Sequence, residues 1–152
     1  MKHRLTAVAV AAAIGAGATW EAAAQVKPDT LVKQRQAAMT LIGKYFGPLG
    51  AMAKGTAPYD AAIVQRNAGY LDVLAKMPWD GFHESTRGEK SAALPAVWEK
   101  AAEFKQGQER MAAEIAKLVQ VSKGGDEASV KNQIAAVGRT CGGCHDNFRE
   151  KR

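Results

Sequence analysis

The sequence predicts an all-α protein that folds as an antiparallel up-down-up-down four-helix bundle. Ala, Lys, Glu, Gln and Leu, which favour helices, dominate the composition, and runs of β-branched residues are missing. Four segments carry apolar residues at steps of three and four, which is the spacing of one helix face. Two of the three joins between these segments are short, and short joins place neighbouring helices antiparallel. The sequence shows no internal repeat and no sign of a second domain.

The first 24 residues have the pattern of a secretory signal peptide. Residues 2–4 are basic, and the apolar run 5–18 is short for a transmembrane helix. Three alanines at 22–24 supply the small residues of a cleavage site. Export followed by cleavage there would leave a single domain, residues 25–152, in the periplasm. An uncleaved anchor is the alternative, and the short apolar core argues against it.

The first helix is expected to begin near Pro28, because proline suits the first turn of a helix, and to end before Gly55. Gly47-Pro48 should kink or interrupt it. The second helix is expected from about Asp60, a residue suited to an N-cap, to Lys76. One stripe of the first helix consists of Leu31, Arg35, Met39, Ile42 and Phe46.

Residues 79–94 form a long irregular connection, and loops of this length are often functional. The third helix is expected to run from Pro95 to about Lys123, where Gly124-Gly125 ends it. The fourth helix should begin near Asp126. Its core-facing residues are Val130, Ile134, Val137, Cys141, His145 and Phe148.

The last helix contains the attachment signature of a c-type haem, Cys141-Gly142-Gly143-Cys144-His145. Cysteines at i and i+3 share one helix face, so each thiol can form a thioether with one vinyl group. The imidazole of His145 can then ligate the iron. A redox dithiol expects a βαβ setting, and a closed zinc site expects four ligands, so both alternatives fit less well. A structural disulfide with an incidental histidine remains a third alternative. The predicted fold is therefore a four-helix bundle with covalent haem.

The formal charge of the sequence is +6, and the chain stays basic after the signal peptide is removed. Its Lys and Arg residues are scattered among Asp and Glu, which is typical of a solvated mixed-charge surface. We therefore expect no binding to nucleic acid.

Several segments together resemble the cytochrome c′ family, the class II c-type cytochromes. The haem motif alone is not specific to that family, but its position on the last helix, combined with Arg35-Gln36 and Trp98, is much more so. The other segments that resemble it are Lys27-Pro28, Tyr45-Phe46-Gly47, Ala57-Pro58-Tyr59-Asp60, Met77-Pro78-Trp79, Pro95-Ala96-Val97-Trp98 and Cys144-His145-Asp146. The resemblance implies high-spin, five-coordinate iron that binds nitric oxide and carbon monoxide, with nitric oxide sequestration or detoxification as the role. It also implies a homodimer formed through the first helices.

The resemblance implies roles for individual residues as well. Arg35 and Gln36 match the pair that contacts the haem edge and propionates, although a solvated surface pair is the alternative. Met39 matches the position that faces the distal side of the iron. The resemblance also places Trp79 and Phe82 near the pocket.

Arg149 lies one turn after His145, where the family has an arginine beside the proximal haem face. A cation near a helix C-terminus is the alternative reading. The sequence departs from the family pattern at Ala92, where relatives often offer a polar haem contact, so no role is carried over there. Both spacers of the haem motif are glycine, where the family often has lysine at the first.

The sixth coordination position of the iron distinguishes the possible functions. His83 should face solvent, and Met52, Met77 and Met111 lie outside the Arg35–Met39 stripe of the first helix or near segment ends. Met39 is then the candidate for the face opposite His145. If Met39 packs over the iron without bonding, the protein binds gases. If Met39 ligates the iron, the protein is a low-spin, six-coordinate electron carrier. An enzymatic role is not expected, because no distal acid–base residue accompanies Met39.

Overall fold

The computed structural model describes residues 26–151, so the predicted signal peptide at 1–24 lies outside the described residues. The described part of the chain contains five α-helices and no strand. The helices are α1 (Pro28–Ala53), α2 (Ala61–Leu74), α3 (Ala96–Glu99), α4 (Ala101–Val121) and α5 (Glu127–Phe148). Two short 3-10 turns, Trp79–Phe82 and Glu84–Thr86, lie between α2 and α3.

The four long helices form the predicted bundle. Helix α1 packs on α2 and α5, α4 packs on α2 and α5, and the α4–α5 contact is the most extensive. Large side chains from all four helices are almost completely excluded from solvent at the centre. Burial of each stabilises the fold by roughly 1.5–3 kcal/mol. These residues are Leu49, Val64, Leu71, Ile115, Leu118, Val130, Ile134 and Val137. The predicted all-α bundle is confirmed.

Helix α1 begins at Pro28 as predicted, and it continues through Gly47 and Pro48 to Ala53, so the expected interruption is absent. Proline lacks the N–H that would complete one helical hydrogen bond. The side chain of the next residue, Leu49, is fully buried, so packing holds the helix on course. The helix ends at Ala53, and Gly55, two residues later, turns the chain away with a positive φ of 74°.

The predicted third helix is divided in two. Lys100 leaves helical geometry, with φ −117° and ψ 45°, and separates the single turn of α3 from α4. On α3, Val97 is buried with Phe104 and Phe148, and the indole nitrogen of Trp98 donates to the carbonyl of Phe82 at 3.0 Å. The bend lets this turn pack on the 3-10 segment. No glycine or proline at the break announces it in the sequence.

The first 3-10 turn lies directly against α1. A Cβ atom at Gly81 would lie 2.6 Å from the Cβ of Arg35 and 2.8 Å from the carbonyl oxygen of Leu31. Because real Cβ atoms do not approach backbone this closely, only glycine allows the turn to reach the helix. None of the helices within residues 26–151 has both the length and the apolar character needed to cross a membrane.

Replacing Gly81 with alanine should destabilise the protein by about 1–3 kcal/mol, because the added methyl forces the turn away from α1. Gly69 is the matched control, since it lies inside α2 and a Cβ there meets nothing within 4 Å. Gly69→Ala should stabilise the protein by about 0.5–1 kcal/mol. Chemical denaturation of the two variants measures both effects. Equal effects of the two substitutions would contradict the close packing at Gly81.

Candidate haem site

A cavity of about 670 Å³ lies between α1, α4, α5 and the segment that follows α2. Its volume is within the range of roughly 300–1,000 Å³ that small-molecule and cofactor sites occupy. All nine site residues that the sequence proposes line it. They are Arg35, Gln36, Met39, Trp79, Phe82, Cys141, Cys144, His145 and Arg149. The fold therefore brings together residues from both ends of the domain.

The two cysteines lie on α5, half-buried and not joined in a disulfide. Val137 and Ile134 are fully buried one and two turns before Cys141, so the core-facing side of the helix leads directly to the thiols. Burial raises the pKa of both thiols, and the neighbouring Cys141 adds to the effect at Cys144. Both are therefore neutral thiols at pH 7. Two unbridged thiols at i and i+3 on a cavity wall fit the attachment of a haem through two thioethers.

His145 lines the cavity beside the two thiols, at an exposed position. Desolvation lowers the pKa of its imidazole, and the positive charge of Arg149 acts in the same direction. The opposing effect of Asp146 is smaller. The imidazole is thus favoured in its neutral form, which is the form that offers a lone pair to a metal.

Met39 lies on α1, half-buried, on the wall of the same cavity. Ile42 and Phe46 continue this wall along α1, and Met111 of α4 also lines the cavity and is buried. Our sequence interpretation set Met111 apart because it lies outside the α1 stripe. The cavity also draws on α4, which the stripe of a single helix does not reveal. Met111 is two turns from Phe104 on the buried side of α4, and that register is the signal that could have identified it.

Arg35 is almost completely buried, with 3% of its surface exposed, so it is not a solvated surface arginine. Its Nη1 donates to the carbonyl of Gly81 at 2.5 Å and to the Thr86 hydroxyl at 2.9 Å. Its Nη2 donates to the Ser91 hydroxyl at 2.8 Å, and the guanidinium lies over the Phe82 ring. Sequence reasoning identified none of these acceptors.

The acceptors of Arg35 are all neutral, and within residues 26–151 it forms no salt bridge with a carboxylate. Burial lowers the pKa of Arg35, but arginine remains protonated at neutral pH. A buried cation with only neutral partners is expensive unless a negative group lies nearby. A haem propionate in the cavity would be such a group, so this residue also fits the cofactor.

Aromatic rings enclose the other end of the cavity. The rings of Trp79 and Phe82 are stacked, and Phe104 meets Phe82 and Phe148 edge to face, with centroids 4.9 and 5.2 Å apart. The C-terminal residues close against the loop beside them. Leu94 N–H donates to the carbonyl of Phe148, which holds Arg149 at the cavity wall. Gln36 lines the cavity from an exposed position on α1, and His83 is exposed as expected.

A family model described as Cytochrome C′ matches residues 30–149. This chain belongs to the cytochrome c′ family. The family is itself a type example of the up-down-up-down bundle. Its members are gas-binding haem proteins with a covalent c-type haem, so the cofactor of this chain is a c-type haem.

Individual relatives agree over nearly their whole length. The cytochrome c′ of Rubrivivax gelatinosus is 41% identical, over 82% of this chain and 98% of its own. Its crystal structure superposes with a TM-score of 0.77. The cytochrome c′ of Alcaligenes xylosoxydans is 39% identical over 83% of this chain and 98% of its own. A nitric oxide complex of a point variant from Alcaligenes xylosoxidans is 38% identical, with a TM-score of 0.76 over 84% of this chain and 98% of that one.

Removing the Thr86 hydroxyl should weaken the hydrogen bonds that attach the 3-10 segment to α1. This hydroxyl accepts from Arg35 and donates to the carbonyl of His83 at 2.7 Å, in a residue with no exposed surface. Thr86→Val leaves a buried guanidinium N–H without its acceptor, so we expect a loss of about 1–3 kcal/mol. The exposed Thr56, whose hydroxyl donates to Ala51, is the control. Thr56→Val should change stability by less than about 0.5 kcal/mol. Thermal unfolding of the haem-loaded proteins measures both stability losses. Equal losses in the two variants would contradict a stabilising role for the Thr86 hydroxyl.

Proposed function

We propose that this cytochrome c′ is a periplasmic protein whose haem iron keeps one coordination face free for nitric oxide or carbon monoxide. Sequestration or detoxification of nitric oxide is the role that we propose for it. One observation carries the proposal: His145 and Met39 line one cavity from different helices. Among the described residues that line it, there is no second histidine, no lysine and no carboxylate. Methionine is then the remaining side chain that could compete with a gas.

The role that we propose for each side chain around the haem follows from its chemistry. When bound, the haem supplies an iron that coordinates a diatomic gas. The neutral imidazole of His145 would hold that iron from the α5 side, while Cys141 and Cys144 fix the porphyrin. Met39, with Ile42 and Phe46, would exclude water from the opposite face. A wall of this kind admits small neutral gases but offers few hydrogen-bond donors to stabilise a polar bound oxygen.

We propose further contacts with the haem from the chemistry of the other residues that line the cavity. Arg35 and Gln36 would hold the haem edge and propionates, and a guanidinium binds a carboxylate well. Trp79 and Phe82 would pack against the porphyrin, and Arg149 would lie beside its proximal face. Solved nitric oxide complexes of the Alcaligenes protein support gas binding in the family. We expect no enzymatic turnover, because the residues around Met39 supply no acid–base group.

The absorption spectrum tests the free coordination face. The purified ferrous protein should be high-spin and should change on adding carbon monoxide or nitric oxide. Met39→Ala opens the wall and should raise the association rate of carbon monoxide about tenfold or more, which corresponds to about 1.4 kcal/mol at the barrier. Met77→Ala is the control, because Met77 is 54% exposed and lies away from the cavity. A low-spin spectrum whose sulfur–iron charge-transfer band vanishes in Met39→Ala would instead establish the electron carrier with Met39 as sixth ligand.

We also propose that residues 1–24 are cleaved on export and that the mature protein is a homodimer. Four large apolar side chains on α1, on α2 and directly after α2 are exposed by 40–54%. They are Leu41, Tyr70, Val73 and Met77. The Tyr70 ring lies 4.8 Å from that of Tyr45, which links the two helices into one patch. A contiguous apolar patch of this kind is typical of an interface.

A charge in this patch should separate the proposed dimer. Val73→Glu places a carboxylate where two copies would meet, so sedimentation velocity should show a monomer at concentrations where the parent protein is dimeric. Gln65→Glu, also exposed on α2, adds the same charge outside the patch and should leave the dimer intact. A parent protein that sediments as a monomer throughout would rule out the dimer.

A further inference from the structure

The haem cavity reaches the protein surface along one side of α1. Among the described residues that line it, four are exposed: Gln36, Thr40 and Gly43 on α1, and His145 on α5. The three on α1 recur at steps of four and three, which places them on one side of the helix. Because α1 packs on α5, the cavity opens between these two helices. We call this opening the α1–α5 seam.

Phe46 closes the seam at one end. A Cβ built on Gly138 of α5 would lie 3.3 Å from Cζ of Phe46, and a Cβ built on Gly50 would lie 3.6 Å from its Cε1. The ring therefore lies directly against the α5 backbone, closer than a side chain at position 138 would allow without a shift. The same ring lines the haem cavity.

The contact between Phe46 and Gly138 aligns Gly43 with the haem motif. The two helices run antiparallel, and each rises about 1.5 Å per residue. Three residues back from Phe46 on α1 therefore match three residues forward from Gly138 on α5, so Gly43 lies level with Cys141. Met39 lies one turn before Gly43 and lines the cavity too. The seam thus opens on the side of the cavity that Met39 lines.

Gly43 leaves a gap in the seam. Packing does not require glycine there, because a Cβ at this position would meet nothing within 4 Å, in contrast to Gly81. Glycine also weakens the interior of a helix relative to alanine. The hydroxyl of Thr40 is held by its own helix, since it donates to the carbonyl of Gln36 at 2.8 Å. The wall at position 43 therefore consists of backbone alone.

The polarity of the cavity lining differs along the seam. Arg35 and Arg149 line the end where we propose that the propionates lie. Beside Gly43, the lining residues are the apolar Ile42 and Phe46. A small neutral gas crosses apolar surface without the desolvation cost that a charged molecule incurs. The Gly43 end is therefore the part of the seam suited to a diatomic gas.

We propose that Gly43 is the port through which gas molecules enter the haem cavity, and that its missing side chain determines how fast and how large a ligand can enter. The proposal rests on the free coordination face proposed above, and it assigns a specificity-determining residue to it. Phe46, held against Gly138, limits the port on the side of the bundle core.

The test uses the haem-loaded protein with carbon monoxide. Gly43→Leu places an aliphatic side chain in the gap, and a helix accepts leucine better than glycine. Gly69→Leu is the matched control, because Gly69 is exposed inside α2, is equally open and does not line the cavity. Flash photolysis and stopped-flow mixing give the association and dissociation rate constants. Two readouts are independent of gas: the haem spectrum should be unchanged, and the denaturation midpoint should not fall.

We expect Gly43→Leu to lower both rate constants for carbon monoxide by about tenfold. Because a barrier on the path slows entry and escape alike, the dissociation constant should change by less than about twofold. The fraction of photolysed carbon monoxide that rebinds before it escapes should rise. Association of the longer ligand n-butyl isocyanide should slow more than that of carbon monoxide. Gly69→Leu should change each quantity by less than about twofold.

Three results would overturn the proposal. Unchanged rates in both Gly43→Leu and the bulkier Gly43→Trp would show that gas enters elsewhere. Slower association combined with faster dissociation would show that residue 43 crowds the bound gas rather than its path. Equal slowing in Gly69→Leu would show an effect unrelated to the seam. A parent protein that binds no carbon monoxide would instead refute the proposed function, which the parent spectrum reveals before any variant is compared.

Discussion

The hydrophobic register of α5 is the constraint on which the site depends. Val130, Ile134 and Val137 have almost no exposed surface, so α5 cannot rotate without exposing them to water. Each fully buried side chain of this size contributes roughly 1.5–3 kcal/mol, enough to fix the rotation of the helix. Cys141 follows on the same face and inherits its direction. The packing of the bundle thus places the two thiols and the imidazole at the cavity before any cofactor is attached.

A second set of contacts shapes the opposite side of the cavity. The buried guanidinium of Arg35 binds three groups of the 79–91 segment, and Gly81 allows that segment to lie directly on α1. These contacts attach the 3-10 turns to α1, where they form one wall of the cavity. The single turn of α3 and the residues after α5 close around the same wall. The cavity is therefore bounded by parts of the chain that are far apart in sequence.

Periodicity was sufficient to predict the four long helices and the face of α5 that carries Cys141, Cys144 and His145. Those features depend on local spacing, which a sequence displays directly. The break at Lys100 could not be predicted, because it follows from the packing of Val97 and Trp98 on a distant turn. Gly47-Pro48 was expected to kink or interrupt α1, but the helix is not interrupted there, because burial of Leu49 outweighs the lost hydrogen bond.

The candidate site was predictable to a similar extent. The haem motif predicted three of the nine site residues and resemblance to the family predicted the other six, and all nine line one cavity. The place of Met111 in the cavity wall and the acceptors of Arg35 were not predicted, since they depend on which helices face each other rather than on spacing within a helix. Interhelical geometry is the information that a single sequence does not display.

A crystal structure of the haem-loaded ferrous protein would test the central claim most directly. The account predicts a porphyrin in the 670 Å³ cavity, thioethers at Cys141 and Cys144, and a His145 nitrogen bonded to iron. It also predicts that the Met39 sulfur lies beyond bonding distance, with Arg35 directed at a propionate. A sulfur of Met39 or Met111 bonded to the iron, or a porphyrin outside the cavity, would contradict it.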